Sequence, residues 1–126
     1  MRVLFIEDDA MNRRVVRDML QIAGAEMLEA EDGPTGLQMV EDEDFDMILM
    51  DLRMPCMDGL TAIGHIRSRS DVKSGVPIIV VTADTAIDIK ERCIAGGADG
   101  VILKPVAMRE LFDMMGKTMV ASVSRH

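Results

Sequence analysis

Four short apolar runs in this 126-residue chain each stop at residues that could do chemistry: the acidic triplet 7–9, Asp51, Thr82 and Lys104. A run of four to six apolar residues bounded by turn signals is typical of a strand buried on both faces of a parallel sheet. Each polar group would therefore stand where a strand ends. In open α/β sheets the carboxyl ends of neighbouring strands, about 4.8 Å apart, meet in the crevice that binds ligands.

Transfer of a phosphoryl group to a carboxylate is the chemistry that suits this set. Asp51 is the candidate nucleophile, because carboxylates form aspartyl phosphates. Glu7, Asp8 and Asp51 would repel one another and an incoming phosphoryl group, so the set requires a hard divalent cation, for which Mg²⁺ is well suited. Lys104 would contribute a positive charge to one phosphoryl oxygen, and Thr82 would donate a hydrogen bond to another.

Each of these residues also has an ordinary structural explanation. The acidic triplet could complement the dipole of the next helix. Asp51 and Thr82 could cap the segments that follow them, and Lys104 could be a solvated loop residue. These explanations are weaker for the set than for its members, because all four positions are predicted at one edge of one sheet.

Strand and helix signals alternate five times along the chain. The predicted strands cover residues 3–6, 26–30, 47–50, 78–81 and 100–103. Helices are predicted at 10–23, from the Asp-Gly-Pro turn at 32–34 to 40, at 60–68 and at 84–95, with a last helix whose apolar stripe comprises Met108, Leu111, Phe112, Met115 and Met119. The pattern predicts an α/β fold, a doubly wound five-stranded parallel sheet with five helices on its two faces, and places the weakly apolar strand 26–30 at an edge.

Composition excludes several classes of protein. With 48% apolar and 29% charged residues, the chain should form one folded domain. Its net charge of −8 argues against binding nucleic acid or anionic membranes. Its two cysteines have neither metal-site nor disulfide spacing, and no signal peptide or membrane-length apolar stretch is visible. We expect a cytoplasmic protein with free thiols.

Four motifs carry a family resemblance: IEDD after the first strand, LMDLRMPCMDG at the third, VTA at the fourth and LKP at the fifth. Together they resemble the receiver domain of two-component response regulators, over essentially the whole chain. The resemblance implies the flavodoxin-like strand order 2-1-3-4-5. It also implies a receiver domain over residues 1–121 and a short polar tail at 122–126, hence a single-domain regulator of the kind used in chemotaxis, phosphorelays and cell-cycle control.

The resemblance assigns a role to each site residue. Asp51 would accept a phosphoryl group from a histidine kinase or a histidine phosphotransfer protein. Glu7 and Asp8 would be the acidic metal pair, preferred to Asp8 and Asp9 because Glu7 follows the strand directly. The main-chain carbonyl of Arg53 would complete the Mg²⁺ ligands.

Two further residues match the family's motif. Thr82 matches the switch hydroxyl, and Lys104 matches the phosphate-binding lysine and is expected to precede a cis bond to Pro105. The resemblance implies a phosphoacceptor that phosphorylates and dephosphorylates only itself, so it is not an enzyme with an external substrate.

Two departures from the family pattern bear on signalling. Val101 occupies a position where the family often has an aromatic residue that turns inward. We therefore expect readout to a downstream protein without an aromatic switch, through the surface of the fourth helix, fifth strand and fifth helix, in a monomer or weak dimer. Met108 and Met114 could add contact area there. Arg53 and Asp84 flank the site, where an ion pair between them would slow loss of the phosphoryl group.

Three competing functions are weaker. A Mg²⁺-dependent phosphatase with an aspartate nucleophile needs a second aspartate where this chain has Arg53. A flavin binder needs a Ser/Thr/Gly-rich phosphate loop after the first strand, where this chain has three carboxylates. A pseudo-receiver adaptor that binds partners without phosphorylation has no need of the complete set of acidic, threonine and lysine residues.

Overall fold

A five-stranded parallel sheet forms the centre of the computed structural model, which describes residues 1–124. Its strands are β1 (Arg2–Ile6), β2 (Glu26–Ala30), β3 (Met47–Asp51), β4 (Ile78–Thr82) and β5 (Gly100–Leu103). They are ordered β2-β1-β3-β4-β5, so the predicted order and the edge position of β2 are confirmed. β3 and β4 are buried along their whole length, as their continuous apolar runs predict.

Five α-helices cover the two faces of the sheet. They are α1 (Ala10–Ile22), α2 (Gly33–Asp42), α3 (Gly59–Arg67), α4 (Ile89–Ala95) and α5 (Met108–Ser124), with a short 3₁₀ helix at Val72–Gly75. Side chains of α1 and α5 pack with one face of the sheet, and those of α2, α3 and α4 pack with the other. The predicted doubly wound fold is therefore confirmed.

Aspartates begin three of the helices. Asp9, Asp32 and Asp58 each accept a main-chain N–H of the following turn at 2.8 Å. These bonds satisfy main-chain donors that have no partner inside the helix. The capping role of Asp9 bears on the site, because it leaves Glu7 and Asp8 as the carboxylates free of that task.

Helix α4 is shorter than predicted. The sequence predicts a helix from residue 84, whereas α4 begins at Ile89. Asp84 accepts the main-chain N–H of Ala86 at 2.9 Å, and its own N–H donates to the Thr82 hydroxyl at 3.0 Å. Such local side-chain bonds compete with helix formation, so residues 83–88 form a loop beside the end of β4.

The last helix corrects one further expectation and extends past a predicted boundary. Leu111 and Met115 are buried as predicted, but Met108 is 40% exposed, so the apolar stripe begins one turn later. The helix also runs through Ser124, past the expected boundary at residue 121. Residues 125–126 of the predicted tail lie outside the described residues, and the division at 121 stays a prediction.

The two cysteines and the lengths of the helices bear on the expectations drawn from composition. Both Cys56, which is exposed, and Cys93, which is buried, are free thiols. Among residues 1–124, no helix combines the length and apolarity needed to cross a bilayer.

Candidate functional site

The four predicted polar groups meet at the carboxyl edge of the sheet. Asp51 and Thr82 are the last residues of β3 and β4, while Glu7 and Lys104 directly follow β1 and β5. The strand register aligns these ends, since Asp51 pairs with Val81 and Thr82 with Leu103. The main-chain N–H of Lys104 also donates to the Thr82 carbonyl at 2.8 Å.

Three carboxylates form a cluster at this edge. Glu7, Asp8 and Asp51 each offer one oxygen, and these oxygens lie within 4.8 Å of one another. Glu7 is fully buried and Asp51 is 5% exposed, whereas Asp8 is exposed and leaves one side of the cluster open to solvent. Asp9 caps α1 instead, so the structure brings together the predicted pair Glu7 and Asp8 rather than Asp8 and Asp9.

The ammonium group of Lys104 contacts this cluster. Its Nζ lies 2.6 Å from Glu7 Oε1 and 3.4 Å from Asp51 Oδ1. The second oxygen of Glu7, Oε2, is buried and has no hydrogen-bond partner among the described residues. A buried carboxylate oxygen without a partner is costly. Hard divalent cations take oxygen ligands of this kind, so the arrangement could hold one.

The protonation of the cluster reflects its burial. Burial raises the pKa of the Glu7 carboxyl, and interaction with Asp51 acts in the same direction, outweighing the opposing effect of Lys104. Burial alone would lower the pKa of the Lys104 ammonium. The hydrogen bond to Glu7 and the charges of Asp51 and Glu7 outweigh it, so the pKa of Lys104 is raised and its charge is retained.

Thr82 is poised at the edge of the site. It is 1% exposed, and its hydroxyl oxygen accepts the N–H of Asp84. A hydroxyl that accepts in one bond keeps its own hydrogen for donation. Thr82 can therefore bond to a ligand at the sheet edge while it contacts the loop that leads to α4.

Arg53 and Asp84, which stand two residues beyond Asp51 and Thr82, form an ion pair. Arg53 Nη2 lies 3.3 Å from Asp84 Oδ2, so the predicted contact is present, although the Arg53 side chain is 81% exposed. The main-chain bond from Ala86 and the Arg53 guanidinium hold the pKa of Asp84 below its usual range. The role of the Arg53 main-chain carbonyl as a metal ligand stays a prediction.

Gly59 allows the site loop to close. A Cβ built on Gly59 would lie 2.3 Å from the Asp51 carbonyl oxygen, so any side chain would displace the end of β3. Its N–H donates to the Leu52 carbonyl at 2.9 Å. In the sequence this glycine is visible only as a turn signal, and its contact with the main chain of Asp51 is apparent only in the fold.

Comparisons with known proteins agree with this geometry. A family model described as the response regulator receiver domain matches residues 3–116. Over 118 residues the chain is 36% identical to the sensor histidine kinase AruS of Pseudomonas aeruginosa, covering 93% of this chain and 12% of that protein. It is 33% identical over 111 residues to the cell cycle transcriptional regulator CtrA of Caulobacter vibrioides, covering 88% and 47%. The chain thus spans less than half of either relative.

Solved structures show the same fold. The chemotaxis protein CheY4 of Vibrio cholerae has a TM-score of 0.84 and 30% identity, with 93% of this chain and 97% of that chain covered. The receiver domain of the sensor histidine kinase PA1611 of Pseudomonas aeruginosa has a TM-score of 0.85 and 30% identity, with 94% and 96% covered. A magnesium ion is coordinated in the active-site cleft of the PA1611 domain.

The contact between Lys104 and Glu7 yields a stability prediction. Lys104→Met would leave the Glu7 carboxylate buried without its cation. We expect it to lower the free energy of unfolding, measured in EDTA by denaturant titration, by about 2–4 kcal/mol; the range for breaking a buried ion pair is roughly 3–5 kcal/mol, and Lys104 is partly solvated.

Two further variants control this measurement. Lys90→Met removes an exposed lysine of α4 and should change stability little. Glu7→Gln combined with Lys104→Met removes the stranded charge and should recover most of the loss. A double variant as unstable as Lys104→Met would contradict the electrostatic explanation.

Proposed function

The chain belongs to the response regulator receiver domain family, the phosphoacceptor module of two-component signal transduction, and from this we propose that Asp51 is its phosphoacceptor. The proposed donor is the phosphohistidine of a histidine kinase or of a histidine phosphotransfer protein. The proposed cofactor is Mg²⁺, held by Glu7, Asp8 and Asp51 with the main-chain carbonyl of Arg53.

One observation carries this proposal. The Asp51 carboxylate contacts Lys104 at 3.4 Å and lies within 4.8 Å of the carboxylates of Glu7 and Asp8. An aspartate that only capped a turn would need neither a lysine from another strand nor two further carboxylates. Glu7 Oε2, which has no partner in the described part of the chain, supports a cation beside Asp51, as does the magnesium ion in the PA1611 receiver domain.

The reaction would depend mainly on positioning and charge. Mg²⁺, when bound, offsets the negative charge of the carboxylates and of the phosphoryl oxygens. A carboxylate oxygen of Asp51 forms the bond to phosphorus as the P–N bond breaks, and the electron pair of that bond remains on the imidazole of the donor. The Lys104 ammonium would contact one phosphoryl oxygen, and the Thr82 hydroxyl would donate a hydrogen bond to another.

Thr82 would transmit the change at the site to the rest of the domain. If its hydroxyl turns toward the phosphoryl group, its bond to the Asp84 N–H weakens, and the loop 83–88 loses an anchor. Exposed apolar side chains lie in that loop, at Ile87, and on the α4-β5-α5 surface beyond it, at Ile94, Leu103 and Met108. We propose that a downstream protein binds there, without an aromatic switch because Val101 occupies that position.

The remaining expectations stay proposals. We propose that the chain acts in the cytoplasm as a monomer or weak dimer, and that its only reactions are phosphorylation and dephosphorylation of Asp51. A phosphatase acting on other substrates would need an acid where Arg53 stands. A guanidinium is a poor general acid or base, and that of Arg53 pairs with Asp84.

Incubation with Mg²⁺ and a small phosphodonor tests the proposed function. Intact mass should show one added phosphoryl group, and peptide mapping should place it on Asp51. Asp51→Asn is the control and should stay unmodified, as should the wild type in EDTA. Full modification of Asp51→Asn, or full labelling without a divalent cation, would refute the assignment.

Contact between Arg53 and Asp84 predicts the lifetime of the phosphorylated form. Hydrolysis of an aspartyl phosphate needs water in line with the departing oxygen, and this pair stands beside that approach. Exposed pairs contribute only about 0.2–1 kcal/mol, which corresponds to a change of a few-fold in rate. We expect Arg53→Ala and Asp84→Ala each to speed dephosphorylation a few-fold.

The double variant decides whether the two residues act together. If they act as one pair, Arg53→Ala with Asp84→Ala should be no faster than the faster single variant. Dephosphorylation is followed by intact mass after removal of the donor. Additive effects, or single variants that lose the phosphoryl group as slowly as the wild type, would contradict a shielding pair.

A further inference from the structure

Arg13 connects α1 to the residue that starts the acidic cluster. From the first turn of α1, its Nη1 donates to the main-chain carbonyl of Glu7 at 2.7 Å, and its Nε donates to Glu29 Oε1 of β2 at 3.2 Å. The side chain is only 13% exposed. Glu29 is held by Arg17 as well, through its other carboxylate oxygen. The Glu29 carboxylate, itself held by Arg17, therefore orients the Arg13 guanidinium that donates to the Glu7 carbonyl.

The Arg13 contact fixes a peptide group that the sheet does not. β1 ends at Ile6, and the N–H of Glu7 donates to the Ala30 carbonyl at 2.9 Å, which extends the pairing with β2 by one bond. The carbonyl of Glu7 belongs to the next peptide group, the one that joins Glu7 to Asp8. Arg13 holds that carbonyl, so both peptide groups of Glu7 are fixed.

We infer that Arg13 is a positioning residue of the divalent-cation site, orienting the Glu7–Asp8 peptide so that the two carboxylates meet one cation. The inference rests on the proposed function, because it requires a cation at Glu7 and Asp8. It adds a residue outside the acidic, threonine and lysine set. Arg13 contacts neither the cation nor Asp51, and it acts through the main chain of Glu7.

The direction in which cation affinity changes on loss of Arg13 distinguishes positioning from simple electrostatics. Arg13 is a positive charge next to the cluster, so its loss should tighten cation binding if charge alone mattered. If Arg13 acts by positioning, its loss should weaken binding, because Glu7 and Asp8 would sample orientations that do not converge. The two accounts predict opposite changes in the same dissociation constant.

Binding of Mn²⁺ to the full chain without phosphodonor measures this constant. Mn²⁺ also suits oxygen ligands, and electron paramagnetic resonance reports its free concentration. We expect Arg13→Met to raise the dissociation constant about 3- to 10-fold; the effect should be smaller than the roughly 10- to 100-fold typical of partners bonded directly to a ligand side chain, since Arg13 holds the main chain. Mg²⁺ added as a competitor should show the same order of variants.

Arg17→Met is the matched control. It removes an arginine of the same helix that pairs with the same Glu29, but it leaves the bond to the Glu7 carbonyl intact. It should change the dissociation constant less than twofold, by the same reasoning on direct and indirect partners. Arg13→Lys keeps the charge but cannot reach both partners with a rigid fork, so it should weaken binding as well. Far-ultraviolet circular dichroism confirms folding, and Arg13→Lys decides the question if Arg13→Met does not fold.

The outcomes distinguish this inference from the proposed function. Weaker binding in both Arg13 variants with an unchanged Arg17→Met supports positioning. Equal or tighter binding in the Arg13 variants, with normal binding in the wild type, overturns the inference and leaves the metal site standing. An equal loss of Mn²⁺ affinity in Arg17→Met would attribute the effect to the ion pairs between α1 and β2, and would also overturn the inference. A wild type that binds no Mn²⁺ overturns both the metal site and the inference.

Discussion

The contact between Lys104 and the buried carboxylate of Glu7 is the interaction on which the site depends. Burying a carboxylate is strongly unfavourable unless it is paired and hydrogen-bonded. Glu7 has one oxygen on Lys104 at 2.6 Å and one oxygen without a partner among the described residues. The chain therefore provides a partner for one of the two carboxylate oxygens of Glu7. A bound cation, or protonation of Glu7, would stabilise the second oxygen.

Because the interaction joins residues 97 positions apart, it requires the whole sheet. Glu7 follows β1, Asp51 ends β3, and Lys104 follows β5, so the order β2-β1-β3-β4-β5 is what brings them to one edge. Thr82 at the end of β4 lies between the acidic side of the site and the loop to α4. The same strand ends that concentrate charge thus connect that charge to the surface proposed for signalling.

The strands and the strand-end residues could be predicted from the sequence, and some contacts could not. Residues 47–50 and 78–81 are continuous apolar runs bounded by turn signals, which is typical of strands buried on both faces of a parallel sheet. The predicted start of α4 was wrong. The side chains of Thr82 and Asp84 accept hydrogen bonds from nearby main-chain N–H groups, and the spacing of apolar residues does not reveal such bonds. Arg13 was missed for a related reason. Its partner is a main-chain carbonyl, and no side-chain pattern in the sequence marks that atom.

Dependence of stability on Mg²⁺ tests the account most directly. Because the chain has no Trp or Tyr, circular dichroism should follow denaturant unfolding, with NaCl matching the ionic strength. A cation bound only by the native site should raise the free energy of unfolding by about 2.7 kcal/mol at 100 times its dissociation constant. We expect this gain in the wild type and its loss in Glu7→Gln. Stability independent of Mg²⁺, or an equal gain in Glu7→Gln, would contradict a cation site built on Glu7.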